Sequence, residues 1–195
     1  MKVRRVTTGH NRDGKAVFVS DTLVEPDTVA LMPGAEFHRL WGADAPQRFP
    51  DNGAPPPYTG YFPPLGGYRF MLFSVPPDAQ AHMRGGDRKA MAAEMRERLP
   101  GLMEHMERTS PGMHTTDTVD FEYILSGEVW LELDDGQTTH LRPGDTVVQN
   151  GTRHAWRNRG TQTCQIVVFM LGVPRQPSGL DVARGAANLV EVRSS

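Results

Sequence analysis

A chain of 195 residues can bury a substantial core but is short for two independent domains. Its 21 basic and 23 acidic side chains leave a net charge of −2 spread along the sequence, which gives no electrostatic footprint for nucleic acid or an anionic membrane, so a small-molecule partner is expected. One cysteine excludes an internal disulfide, and no apolar run approaches the roughly 18 residues that span a bilayer, so a soluble, cytoplasmic protein is expected.

The first 40 residues hold short β-prone pieces, Ala16–Ser20 and Thr28–Met32, separated by turn residues and expected to add to a sheet formed later. Residues 43–67 are dense in Pro, Gly and Tyr, show no period, and read as a long loop or arm. Tyr68–Val75, stopped by Pro76 and Pro77, reads as a strand with His82 and Arg84 just beyond it. Between Asp87 and Arg108, Met91, Met95, Leu99, Leu102, Met103 and Met106 fall at helical spacing. Asp87 is the expected N-cap and Pro100 the expected break. The methionine stripe reads as core packing or as an adaptable lid over a pocket.

After Pro111 the pattern changes to short strands, 120–125, 128–133, 138–141, 146–149, 154–158 and 165–171. The turns between them include Asp135-Gly136 and Asn150-Gly151, strong hairpin signals, and this spacing indicates a barrel or sandwich. Cys164 at the head of the last strand reads as a small apolar filler. A final Leu189–Val192 is either a loose end or one more pairing strand.

Two motifs in this region carry a family resemblance. His114-Thr-Thr116, three residues, Asp120, six residues and Gly127 resemble the first cupin signature, His-x-His, three or four residues, Glu, six residues, Gly. Pro143-Gly-Asp145 followed by Gly151-Thr-Arg-His154-Ala-Trp-Arg-Asn158 resembles the second. The chain is thus similar to small, single-barrel bacterial cupins. The resemblance implies an all-β double-stranded β-helix, or jelly-roll barrel, with an N-terminal β extension and one helical segment near 87–108. The expected division is residues 1–110 as an extension packing on the barrel, 111–175 as the barrel core and 176–195 as a tail.

In typical cupin enzymes the two His and the Glu of the first motif and the His of the second hold a divalent metal. Those positions are here His114, Thr116, Asp120 and His154. Thr116 is a poor metal ligand and Asp120 is one methylene shorter than Glu. Two imidazoles and a carboxylate nevertheless make up a facial-triad composition, so His114, Asp120 and His154 are the expected ligands and catalytic residues, with Fe, Zn, Mn or Ni as candidate ions. The same residues could form a metal-free hydrogen-bonding cage.

Strand parity puts residues 114 to 122 of even number on one face, adding Thr116 and Glu122 to the candidate pocket. Trp156 shares parity with His154 and could stack on a planar ligand. Arg69 and Arg84 could anchor a substrate carboxylate, although most such arginines are solvated. His38, His82, His105 and His140 lie in no motif and read as structural, and Gly127, Gly144 and Gly151 as backbone devices.

The expected function is a metal-dependent cupin enzyme acting on a small polar or aromatic organic acid, of decarboxylase, isomerase, lyase or dioxygenase type. The alternative is a metal-free cupin that senses or sequesters a small ligand. A homodimer is expected because a barrel of this size leaves edge strands to cover.

Overall fold

A computed structural model describes residues 1–81 and 85–176 of the chain. His82, Arg84 and the Leu189–Val192 segment therefore lie outside the described residues. The elements are β1 (Val3–His10), β2 (Ala16–Val24), β3 (Phe37–Ala43), β4 (Tyr68–Val75), α1 (Arg88–Arg98), α2 (Leu102–His105), β5 (Thr118–Ser126), β6 (Val129–Glu132), β7 (Thr138–Leu141), β8 (Thr146–Asn150), β9 (Ala155–Arg157) and β10 (Cys164–Gly172). β1 and β2 form a hairpin of their own. The rest make the two facing antiparallel sheets of a jelly roll, one of five strands in the order β3-β4-β10-β5-β8 and one of three, β7-β6-β9.

The strands follow from alternation and turn chemistry. Along β5, Thr118, Asp120, Glu122 and Ile124 are buried while Phe121, Tyr123 and Leu125 are exposed. Gly127 closes the turn into β6 at φ 71°, and a Cβ there would lie 2.6 Å from the carbonyl oxygen of Thr163. Gly151, at φ 57°, sits 2.9 Å from the Thr116 carbonyl by the same measure, which brings the loop before His154 against the chain leading into β5. The outer face of the large sheet carries Phe70, Phe169, Phe121 and Val148 in one register row, all exposed.

Three features differ from the sequence expectations. The boundary placed at Pro111 does not divide the fold, because β4 pairs with β10 along its whole length and β3 pairs with β4. A central β10 needs a partner on each side, and only the N-terminal half supplies the second. Thr28–Met32 is not a strand: Val29 is drawn into the core from a loop that is tied down by an Asp27–Phe37 bridge. β1 had no signal strong enough to stand out, since its register partner β2 is mostly exposed.

The helical segment divides as proline chemistry requires. Asp87 caps α1, accepting from the N–H groups of Lys89 (2.8 Å) and Ala90 (3.3 Å). The helix ends before Pro100, and α2 restarts after Gly101 at φ 89°. Met95, Leu99 and Leu102 then pack on Phe37, Tyr61, Met71, Val168 and Met170 in one core cluster, while Ile124, Val129, Leu131, Leu141, Cys164 and Ile166 form a second. Cys164 is a buried filler whose thiol is pushed up to about 12, by burial first and then by Glu128.

The arm over residues 43–67 is fastened by Arg69, which does not reach the pocket proposed for it. Its side chain is 1% exposed. The guanidinium donates to the carbonyls of Gly60, Ala43 and Tyr68 at 2.9 Å, pairs with Asp44 at 2.6 Å and lies 4.3 Å over the Tyr58 ring. Arg69→Met should leave buried carbonyls without donors and lower the unfolding free energy by roughly 3 kcal/mol or more. Asp44→Asn, at the exposed end of the ion pair, should cost under about 1 kcal/mol. Urea titrations of both variants check this ordering, and equal losses would contradict it.

Candidate functional site

His114 and His154 are brought together by backbone pairing. Each donates its N–H to the other's carbonyl at 3.0 Å, an isolated antiparallel bridge that places the imidazole centroids 4.2 Å apart. Nδ1 of His114 lies 3.0 Å from the Gly112 carbonyl, and Nδ1 of His154 lies 2.9 Å from that of Thr152. A carbonyl only accepts, so both rings carry their proton on Nδ1 and keep the Nε2 lone pair free. Burial lowers the pKa of each; for His154 the neighbouring His114 adds to this and the value falls to about 4.

Both histidines line a cavity of about 140 Å³ together with Asp120, Glu122, Ser74 and Trp156. Its other walls are apolar and aromatic: Phe37 and Phe73 from the large sheet, Val168 and Met170 from β10, Tyr61 and Phe62 from the arm, and Leu102 and Met106 from the helical segment. The cavity thus opens where the two core clusters meet. Among the described residues, no Lys or Arg lines it.

The carboxyl groups owe their state to register. β5 sets Asp120 between Met170 and Gln149, and Glu122 between Val168 and Val147. Burial pushes the Asp120 carboxyl up to about 6, against a hydrogen bond from Thr118 that pulls it down. Glu122 is raised well above its usual range, by burial and then by Asp120. Asp120 Oδ1 and Glu122 Oε2 are buried without a hydrogen-bond partner. The Tyr61 phenol is also raised, by burial first and then by these two carboxyls, and is neutral.

The structure therefore brings His114, Asp120, His154, Glu122 and Trp156 to one cavity. Thr116 does not join them. Strand β5 begins only at Thr118, and the preceding carbonyls are taken by His105 Nδ1 at Thr115 (2.9 Å) and Arg175 Nη2 at Thr116 (2.6 Å). The Thr116 hydroxyl turns to that of Thr118 at 2.8 Å.

The expected three-ligand metal centre is not assembled. Among the described residues, no three His, Cys, Asp or Glu side chains gather to hold an ion. Two imidazole nitrogens and two unpartnered carboxyl oxygens line one cavity.

Sequence reasoning missed Tyr61 and Phe62, whose signal was an aromatic pair directly before Pro63 and Pro64 in the arm. Tyr61 is anchored by its N–H to the Pro100 carbonyl at 2.7 Å, and the Phe62 ring stacks 6.2 Å from His114. Asn158 ties the second motif to β4, donating to Val75 (2.7 Å) and Gln162 (2.8 Å).

The fold is a jelly-roll β-barrel with a polar cluster at the end of an apolar cavity. Residues 101–170 of the chain match the family described as Cupin domain. Phomopsin biosynthesis cluster protein C' of Diaporthe leptostromiformis is 43% identical over 58 residues, 30% of this chain and 31% of that protein. The chain thus spans about a third of the length of the curated relatives that it matches at this level. The cupin-domain-containing oxidoreductase fogC of Aspergillus ruber is 26% identical over 160 residues, 80% of this chain and 64% of that protein. A crystal structure described as a predicted oxalate decarboxylase from Thermotoga maritima superposes with a TM-score of 0.41 at 16% identity, over 77% of this chain and 94% of that one. No helix among the described residues is long and apolar enough to cross a membrane.

The shifted groups act on stability in opposite senses. Asp120 has a folded value of about 6 against roughly 3.9 unfolded, so between those limits the folded state holds the proton more tightly and stability from this group rises as pH falls. His154 has a folded value of about 4 against roughly 6.5 unfolded, so its contribution is full above pH 6.5 and is lost as pH falls to 4. Asp120→Asn should be more stable than the parent at pH 7 by up to about 3 kcal/mol, and the difference should vanish by pH 4. Chemical unfolding of both proteins across this range measures it; a difference independent of pH would contradict the assignment.

Proposed function

We propose that this cupin is an enzyme that moves protons within a small organic substrate, isomerising an enol to its ketone, without a metal. The observation that carries the reading is the unpartnered, buried Asp120 Oδ1 in the same cavity as two neutral imidazoles with free Nε2 lone pairs. A group of pKa about 6 exchanges protons readily near neutral pH, which is what a general acid or base needs. Relatives named oxidoreductases, fogC of Aspergillus ruber and virC of Hypocrea virens, support an enzyme over a sensing role.

The step balances within the site. The substrate hydroxyl gives its proton to an imidazole Nε2 as its oxygen becomes a carbonyl, and the Asp120 carboxyl gives a proton to the adjacent carbon. The proton on the imidazole then returns to the Asp120 carboxylate. The aromatic walls exclude water and so keep both transfers inside the cavity. Glu122, held well above its usual range by burial and by Asp120, remains a neutral acid that donates a hydrogen bond to the forming carbonyl.

Small cyclic ketones in D₂O test this, with deuterium incorporation beside the carbonyl followed by NMR. Exchange should be catalysed by the parent, survive exhaustive chelation, and fall by about 10²-fold or more in Asp120→Asn, the usual range for losing a general acid–base. His114→Ala and His154→Ala should fall similarly while remaining folded. Loss on chelation and recovery with Fe²⁺, Zn²⁺, Mn²⁺ or Ni²⁺ would overturn the metal-free reading in favour of a metal-dependent cupin.

A further inference from the structure

The shape, size and charge of the cavity bear on what enters it. An apolar cavity of about 150 Å³ is known to take a benzene-sized guest, and this one, at about 140 Å³, has room for one ring and not two. Its walls offer faces to a planar guest: Phe73 and Trp156 stand 6.4 Å apart and tilted, and Phe62 covers His114 from the opposite chain segment.

Charge selects further. Three arginines of the described fold are committed elsewhere: Arg39 pairs with Asp27 at 2.8 Å, Arg69 is held by the arm, and Arg157, beside the lining Gly112, pairs with Glu132 and donates to the Pro111 carbonyl. Among the described residues, a carboxylate entering the cavity meets no lining Lys or Arg side chain and lies beside two side-chain carboxyls. The polar end offers two Nε2 lone pairs and the unpartnered Asp120 Oδ1 as acceptors, beside a Glu122 carboxyl that keeps its proton. Acceptors left without donors in a dry site are satisfied best by a guest that brings an O–H group.

We infer that the substrate is a neutral, planar, single-ring molecule with a phenol- or enol-type hydroxyl, lying against Phe73 and Trp156 with its O–H directed at His114 and His154. This replaces the organic acid expected from the sequence, and it rests on the proton-transfer reading for its catalytic meaning while depending on the cavity alone for binding.

The test is a ¹⁹F NMR titration of the full chain at pH 7 with 4-fluorophenol, 4-fluorobenzoate and 6-fluoro-2-naphthol. Fluorophenol should bind at least 100-fold more tightly than fluorobenzoate and at least 10-fold more tightly than the naphthol, and Trp156 fluorescence should respond to it. Fluorobenzoate binding as tightly as fluorophenol, equal binding of the two-ring probe, or no binding of fluorophenol would each overturn the inference. The same titration on Asp120→Asn separates the two readings. Retained phenol selectivity in a protein that shows no exchange in either form would leave the substrate class standing and remove the proton-transfer function. To probe the charge argument in reverse, Met106→Arg and Met32→Lys each place a cation at a residue that lines the cavity, and either variant that folds should shift the preference toward fluorobenzoate by about 10-fold or more. An unchanged preference in a folded variant would count against the inference.

Discussion

The pair of backbone hydrogen bonds between His114 and His154 is the constraint from which the site follows. It joins the segment leading into β5, in the large sheet, to the residue that starts β9, in the small one. The rings have no choice but to share one corner of the barrel. Gly151 permits the close chain approach beside this junction, where a Cβ would meet the Thr116 carbonyl at 2.9 Å. The carbonyls of Gly112 and Thr152, two residues before each histidine, then fix the tautomers. The chemistry is set by main-chain geometry before any side chain is chosen.

What the corner holds is a polar cluster that the surrounding fold disfavours electrically. Imidazoles resist a proton and carboxyls resist losing one because both are buried, with Val168 and Met170 of β10 in register beside Glu122 and Asp120. The neutral imidazoles and the neutral Glu122 leave Asp120 as the group that changes charge near neutral pH, so a small change of charge on a bound molecule is felt strongly there. A fold selected for stability alone would place apolar side chains at 120 and 122 of β5. Such destabilising pairs in a cleft are a mark of function.

Much of this was legible in the sequence, and the reasons for the rest are physical. Spacing within the two motifs placed His114, Asp120 and His154 at one cavity, and strand parity added Glu122 and Trp156, because period-two alternation survives folding along β5. Thr116 escaped the parity argument because the strand does not yet exist at that residue; its hydroxyl and carbonyl are occupied locally. Arg69 alternates onto the inner face as expected, yet carbonyls of the arm capture it, a contact that no local pattern announces. The arm itself has no period, so nothing in it distinguished Tyr61 and Phe62 from loop residues until the fold brought Pro100 to meet them. The lid reading of the methionine stripe applies to Met106, which lines the cavity; Met95 is core.

The central claim is that two neutral, Nδ1-protonated imidazoles face a cavity that they do not share with a metal. Long-range ¹H–¹⁵N NMR correlation of the histidine side chains, in chelated protein and again after addition of Zn²⁺, observes this directly. The account predicts that His114 and His154 both show the Nδ1–H tautomer at pH 7, that His154 stays neutral until the pH nears 4, and that Zn²⁺ leaves both Nε2 resonances in place. An Nε2–H tautomer, a His154 titration near 6.5, or metal-induced shifts of both Nε2 nitrogens would contradict it.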